Sequence, residues 1–296
     1  MSRAGHLTVA LSIGLSLASC GSDDATKAPT PTIPPTCNGH VELCDRTLDQ
    51  VVFPATHNAM SNADENWIAP NQTHPIGRQL DDGIRAFLID THTFEGEPHL
   101  CHSVCQFGAV KLVDALSIYK KFLDAHRGEV VALIIEDDVS AADTERAMVD
   151  SGLVKYVFTQ PNDGPYPTLR ELIAKDTRLL VTAENGRPPP AWYHHVWDLA
   201  WDTPYSYDSV QRFDEIGCDV NRGRADHALF LVNHWIGNPL SSLENATIAN
   251  TYEVLSAHVN ACKARHGRKP TFVAVDFYEQ GSLFRVVDEL NGVAAR

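Results

Sequence analysis

The chain has 296 residues, 44% hydrophobic and 21% charged, with 18 Gly and 17 Pro. That composition excludes a disordered chain, a collagen-like repeat and a small disulfide knot, and leaves room for one core of roughly 250 residues or two smaller ones. The formal charge of −14, from 38 acidic against 24 basic side chains, argues against a nucleic-acid partner, which needs a basic face to neutralise phosphates. It also argues against general attraction to anionic membranes, and it is compatible with a metal-dependent enzyme without pointing to one.

The N-terminus reads as an export signal. Arg3 gives a positive start, and Leu7 to Ala18 is mostly apolar, shorter than the roughly 20 apolar residues of a spanning helix and suited to the h-region of a signal peptide. Leu17-Ala18-Ser19-Cys20 resembles a bacterial lipobox, whose Cys is acylated and becomes the mature N-terminus; the alternative is an ordinary signal peptide with an incidental Cys20. Residues 1–19 are then a lipoprotein signal peptide and 20–36 an acylated Cys with a Pro/Thr-rich tether, its Pro29, Pro31, Pro34 and Pro35 favouring an extended chain. The expected partner of this end is a membrane, through the lipid on Cys20. Gly21 rather than Asp follows the Cys, which by the same resemblance implies the outer membrane in a Gram-negative cell and the cell surface otherwise.

Without Cys20, six cysteines remain: Cys37, Cys44, Cys101, Cys105, Cys218 and Cys262. An even set in an exported chain suggests disulfides, and six cysteines allow 15 connectivities. Proximity favours Cys37–Cys44 and Cys101–Cys105, leaving Cys218–Cys262. A zinc site is the competing reading, against which stand the absence of a CxxC pair and the oxidising compartment.

From Thr47 onward, short apolar runs alternate with helical patterns. Strands are expected at Gln50–Ala55, Ala86–Asp90, Val130–Glu136, Arg178–Thr182, Leu229–Asn233 and Thr271–Phe277, with a weaker one near Val196–Ala200. Helices are expected at Val110–His126, Asp143–Tyr156, Thr168–Ala174, Ile248–His266 and Leu283–Leu290. The strands are continuous apolar runs, as strands covered by helices on both faces are. Repetition of β then α over about 240 residues argues for a parallel α/β fold. A TIM-type barrel fits the length with about seven strands rather than eight. A doubly wound sheet is the alternative, and no GxGxxG follows the first strand to support a dinucleotide site.

In such barrels chemistry gathers at the C-terminal ends of the strands. Those ends read Thr56-His57-Asn58, Asp90-Thr91-His92, Leu100-Cys101-His102-Ser103, Glu136-Asp137-Asp138, Glu184-Asn185, Asn233-His234-Trp235 and Asp276-Phe277-Tyr278. Singly, a His there is more often a structural hydrogen-bonder and an Asp a helix cap. Jointly, at one rim, they point to a hydrolytic site with two His and a divalent metal.

Several of these segments resemble the X domain of phosphatidylinositol-specific phospholipase C. Ala55-Thr56-His57-Asn58-Ala59-Met60-Ser61 is similar to its first signature and Gln79 to Asp90 to its second; His102-Ser103 falls where the family has its second catalytic His; Val131 to Glu136 resembles the strand ending in an acidic ligand, and Ala274 to Tyr278 the final strand. The resemblance covers about residues 45–290 and implies a distorted TIM (β/α) barrel, here a single catalytic domain over 37–296. It implies phosphodiester cleavage: a head-group hydroxyl attacks phosphorus and diacylglycerol leaves. His57 would be the general base, or would stabilise the pentacoordinate phosphate, His102 would be the general acid and Asp276 the residue that orients His57.

The phosphate needs compensating charge. The metal-independent members place Asp-x-Arg at the end of the second strand, where this chain reads Leu88-Ile89-Asp90. The calcium-dependent members have Asn after the first His, Glu-x-Asp on the second strand and Glu on the third. Asn58, Asp90 and Glu136 match, and Leu88 departs, so the implied cofactor is Ca²⁺ held by three oxygen donors, with Mg²⁺ as the alternative and Asp138 as a fourth candidate. Arg222, His234 and Tyr278 are candidates for head-group contacts, and five Trp (Trp67, Trp192, Trp197, Trp201, Trp235) for a rim that meets lipid. The expected substrate is a phospholipid or other phosphodiester and the expected state a monomer. A phosphodiesterase for another head group, such as a glycerophosphodiester, and a binding module without turnover are the alternatives; the first lacks that family's His-Arg-Gly start, and retention of His57 and His102 argues against the second.

Overall fold

The computed structural model describes residues 1, 5–6, 34–186 and 190–295. Most of the expected signal peptide, Cys20 and most of the tether lie outside the described residues. The described residues from Pro34 to Ala295 form one compact unit.

One sheet holds β1 (Phe53–Thr56), β2 (Ala86–Phe94), β3 (Glu97–Leu100), β4 (Val110–Lys111), β5 (Val131–Asp137), β6 (Leu179–Ala183), β7 (His194–His195), β8 (Ala200–Asp202), β9 (Leu229–His234) and β10 (Phe272–Val275). Eight of these strands pair in parallel, in the order β7-β6-β5-β2-β1-β10-β9-β8. The sheet curls into a TIM-like barrel with a seam between β7 and β8, across which no strand pairing is found among the described residues. The helices are α1 (Ile76–Asp82), α2 (Leu112–Ala125), α3 (Ala141–Asp150), α4 (Leu169–Lys175), α5 (Val196–Leu199), α6 (Gln211–Ile216), α7 (Leu243–Ala249), α8 (Tyr252–His266) and α9 (Leu283–Asn291).

Successive side chains along a strand point to opposite faces of the sheet. Val131, Leu133 and Ile135 of β5, Phe230 and Val232 of β9, and Val273 and Val275 of β10 face the helices in one apolar cluster. Ala132 and Ile134, Leu229 and Leu231, and Phe272 and Ala274 fill the barrel interior in another. Burying one such side chain is worth about 1.5–3 kcal/mol, and a one-residue slip would exchange the two sets along a whole strand. The register is therefore fixed, and so is the direction in which each strand's last polar residue points.

The expected strands and helices are largely present, with local differences. β1 starts later than Gln50 because Leu48–Gln50 forms a 3-10 turn. The weak strand at Val196–Ala200 is instead the one-turn helix α5, set between the two short strands β7 and β8 that complete the eight. The helix expected over Ile248–His266 breaks at Asn250 and Thr251: the Thr251 side chain accepts from Val254 N and caps α8, and Asn250 Nδ2 donates to Asp276 O at 2.8 Å. The stretch from Asp143 to Tyr156 is α3 followed by a 3-10 turn. β2 runs on past Asp90 into an antiparallel hairpin with β3, which the apolar pattern does not signal. The six cysteines pair as Cys37–Cys44, Cys101–Cys105 and Cys218–Cys262.

Candidate active site

The interior parity of the strands runs on into polar residues at their C-terminal ends. Ala86 and Leu88 lead to Asp90, Ala132 and Ile134 to Glu136, Leu180 and Thr182 to Glu184, Leu231 to Asn233, and Ala274 to Asp276. The first three, with His57, Asn58, Leu88, Ile89, Ile134, Tyr205, Arg222, Asn233 and Trp235, line a pocket of about 230 Å³. Asp90 and Glu136 are register partners across β2 and β5.

His57 and Asp276 come from neighbouring strands and join through Nδ1 and Oδ1 at 2.8 Å. The Asp276 side chain is 4% exposed and that of His57 20%, so a buried carboxylate backs an imidazole that reaches the pocket. The loop after β1 ties this pair down. Asn71 Nδ2 lies 3.4 and 3.5 Å from the two Asp276 oxygens, and Gln72 Nε2 donates to His57 O at 2.8 Å and to Val275 O at 3.1 Å. One glutamine thus clamps the ends of β1 and β10 together. The indole of Trp235 lies flat on the His57 ring, with centroids 3.7 Å apart and planes 4° from parallel.

His102 follows the β2–β3 hairpin, inside the short loop closed by Cys101–Cys105. Its Nδ1 meets Asp90 Oδ2 at 3.0 Å. That hydrogen bond raises its pKa, against the opposing effect of burial. Asn58 sits between the two imidazoles: one end of its carboxamide is 3.2 Å from both Asp90 oxygens, and the other is 3.1 Å from His57 Nε2 and 3.0 Å from His102 Nδ1. Asn58 (φ 45°), Ser103 (φ 55°) and Phe277 (φ 44°) are left-handed, and each directly follows His57, His102 or Asp276. Such conformations cost a non-glycine residue about 1–3 kcal/mol and gather at functional sites.

The opposite wall is charged. Arg222 Nη1 lies 2.8 and 2.7 Å from the two Glu184 oxygens, while Nη2 and Nε lie 2.6 and 3.0 Å from Asp202 Oδ2. Its guanidinium also packs over Trp197 and Tyr205. Gly223 makes the approach feasible: at φ +75° its backbone lies against Ala200, and a Cβ there would stand 2.2 Å from Ala200 O. Burial opposes the Arg222 charge, but the two carboxylates prevail and its pKa is raised. Burial pushes Glu184 up to about 7, with Arg222 opposing and Glu136, Asp202 and Asp90 adding to the rise. Glu136 is raised by burial and then by Asp90. Asn233 Nδ2 donates to Asp202 Oδ2 and Thr203 O at 3.0 and 2.7 Å, which leaves its buried Oδ1 without a partner among the described residues.

His57, Asn58, Asp90, Asp276 and His102 are therefore joined by direct contacts, and Glu136 and Arg222 line the same pocket as His57, Asn58 and Asp90. His234 does not reach it. It sits on the helix-facing parity of β9, fully buried, with Nε2 2.9 Å from Ala249 O and Nδ1 2.8 Å from His258 Nδ1. Tyr278 also points elsewhere: left-handed Phe277 turns the chain, and the phenol, 2% exposed, donates to Asp82 Oδ2 at 2.6 Å. Asp138 pairs with His92 at 3.0 Å and is not among the pocket-lining residues. The tryptophans form no exposed rim: Trp67, Trp201 and Trp235 are buried, and Trp192 and Trp197 pack against the core. Sequence reasoning misses Asn71, Gln72 and Asp202 as site residues, and names Glu184 and Asn233 only as polar ends of strands. Asn233 carries a usable signal, since it shares the parity of Leu229 and Leu231.

The family model described as PI-PLC X 1 matches residues 43–291. An uncharacterized secreted protein of Arthroderma benhamiae is 30% identical over 91% of this chain and 67% of its own length. PI-PLC X domain-containing protein 1 of the same fungus is 28% identical over 87% of this chain and 90% of its own. A PI-PLC X domain-containing protein of Arabidopsis thaliana is 29% identical over 80% of this chain, which spans 61% of the plant protein. Among solved structures, phosphatidylinositol-specific phospholipase C from Listeria monocytogenes superposes with a TM-score of 0.57 at 18% identity, over 84% of this chain and 94% of that one. A Staphylococcus aureus enzyme of the same description gives 0.53 at 13% identity, over 85% and 95%. At these identities the likeness is one of fold.

Proposed function

Since the chain belongs to the PI-PLC X domain family, we propose that it is a phosphoric diester hydrolase that cleaves a phospholipid head group with His57 and His102 as its acid/base pair. One observation carries the reading: two imidazoles meet at the Asn58 carboxamide, each joined through Nδ1 to a carboxylate that is less than a tenth exposed. Nδ1 bonding of this kind sets the ring orientation and leaves Nε2 for proton transfer.

In the proposed reaction His57 takes the proton from a head-group hydroxyl as its oxygen attacks phosphorus. The bond from phosphorus to the glycerol oxygen breaks, His102 gives that oxygen a proton, and the head group is released as a cyclic phosphodiester; a water activated by the same pair then opens the ring and completes the hydrolysis. The raised pKa of His102 favours the protonated form that an acid needs. Asp276 holds His57, and Asp90 holds His102. The unpartnered Asn233 Oδ1 and the fixed Glu184 carboxylate offer acceptors to the hydroxyls of an inositol-type head group. Assay of the purified protein against phosphatidylinositol, a lysophospholipid and glycerophosphoinositol tests the reading; folded protein without turnover of any diester would replace it with a binding module.

A divalent cation, Ca²⁺ by the donor set, is part of the proposal. Asn58, Asp90 and Glu136 would hold it, and it would supply positive charge beside the phosphoryl oxygens. The lining fits: Glu136 and Glu184 are pushed up by burial and by neighbouring carboxylates, and Arg222, the pocket's own cation, is committed to Glu184 and Asp202. Added Ca²⁺ is expected to stabilise the protein, by about 2.7 kcal/mol at a hundredfold excess over Kd, and Glu136→Gln is expected to remove most of that gain in a thermal melt. Activity that survives a chelator would sink the cation.

The Cys101–Cys105 loop gives a further expectation. Replacing both cysteines with Ser frees the segment that carries His102, so kcat is expected to fall while KM holds. Steady-state kinetics beside a melting curve check this, and an unchanged kcat would show that the disulfide does not hold His102 in place. Export is part of the proposal and is supported by the secreted fungal relative; the lipid anchor on Cys20 rests on the lipobox-like Leu17 to Cys20 alone.

A further inference from the structure

We propose that Trp235 is the positioning residue that holds the His57 imidazole in its reactive plane. The inference rests on the acid/base role given to His57 above and adds a residue to it.

A single hydrogen bond leaves a ring free to rock about the bond's axis. The His57 Nδ1 bond to Asp276, 2.8 Å long, fixes one edge of the imidazole, and the Asn58 carboxamide at 3.1 Å from Nε2 meets the other. Both constraints lie near the plane of the ring. The indole of Trp235, 3.7 Å away and 4° from parallel, supplies the constraint perpendicular to it. Any rotation that moves Nε2 out of plane drives the imidazole into the indole or opens a gap between two flat faces.

The platform is itself held. Trp235 is 7% exposed and belongs to the apolar cluster that fills the barrel. The residue before it, His234, is fastened between Ala249 O and His258. The residue after it, Ile236, packs with Tyr207, Phe213 and Ala249, and Gly237 N donates to Tyr207 O at 2.9 Å. Side chains on both flanks are sunk in the helix layer, so the indole between them has little freedom to swing. The wholly buried His234, which the head-group role does not use, acquires a purpose here: it anchors the strand end that presents Trp235.

The test compares Trp235→Met, which fills the space without a ring, and Trp235→Phe, which keeps a smaller aromatic face. Met is expected to lower kcat by up to about 10²-fold, the scale of a misplaced catalytic group, with KM little changed; Phe is expected to recover much of the loss. The second readout is NMR of the resting protein. The His57 ring protons, identified by their loss in His57→Ala, are expected upfield in the wild type under the indole ring current. They should move downfield in Trp235→Met and part of the way in Trp235→Phe. A kcat for Trp235→Met equal to wild type overturns the proposal, as does a rise in KM at constant kcat, which would make Trp235 a substrate contact. His57 signals that stay put in the Met variant overturn it as well. A wild type that turns over no phosphodiester overturns the reaction reading, and the NMR comparison still stands or falls on the stack alone.

Discussion

Replacing His57 or His102 with Ala is expected to cut phosphodiester turnover by about 10²–10⁴-fold each, the usual contribution of a positioned acid or base. The fold should survive both changes. The His102 side chain is 43% exposed and lies on a short loop, so its removal leaves no cavity. His57→Ala takes one partner from Asp276, whose contacts with Asn71 remain. The double variant should be little slower than either single one, because in the proposed reaction the two groups would serve one proton circuit and such effects do not add. Steady-state kinetics with circular dichroism and a melting curve check this. Full activity in either single variant would remove the role assigned to that residue.

Arg222→Met is expected to cost the protein about 3–5 kcal/mol, the scale of breaking a buried ion pair from one side. The Asp202 side chain is 0% exposed and Arg222 28%. Without the guanidinium, Asp202 would keep only the Asn233 and Asn221 amides and the Arg222 backbone N–H. At about 2–4 °C per kcal/mol for a chain of this size, the melting temperature should fall by about 6–20 °C. Arg224→Met is the contrast: Arg224 and Asp226 are 72% and 65% exposed, and pairs of that kind are worth about 0–1 kcal/mol. Asp202→Asn added to Arg222→Met should restore part of the loss, since it removes the stranded charge. Equal melting temperatures for the two Arg variants would mean that Arg222 serves the ligand and not the fold.

Much of this site is legible in the sequence because chemistry and topology coincide. Continuous apolar runs ending in His57, Asp90, Glu136 and Asp276 say both that the strands are covered on two faces and that their ends converge. The direction of each side chain cannot be read the same way. In a two-faced apolar strand either parity can be the interior one, so Asn233-His234-Trp235 gives no sign that the middle residue turns to the helices. Arg222 stands out for its chemistry, but its partner Asp202 lies on a three-residue strand, too short to leave a periodic signal beside the one-turn helix before it. Tyr278 is turned away from the pocket by a single left-handed residue, Phe277, a conformation that the amino acid itself does not announce.

The small ring that carries His102 has a bearing on when this protein can act. Disulfides do not persist in a reducing cytosol, so a newly made chain would hold His102 on an unclosed segment until it reached an oxidising compartment. If the chain is exported as proposed, oxidation of Cys101 and Cys105 would then complete the proposed acid/base pair, and latency during biosynthesis would be written into the bond that closes this ring.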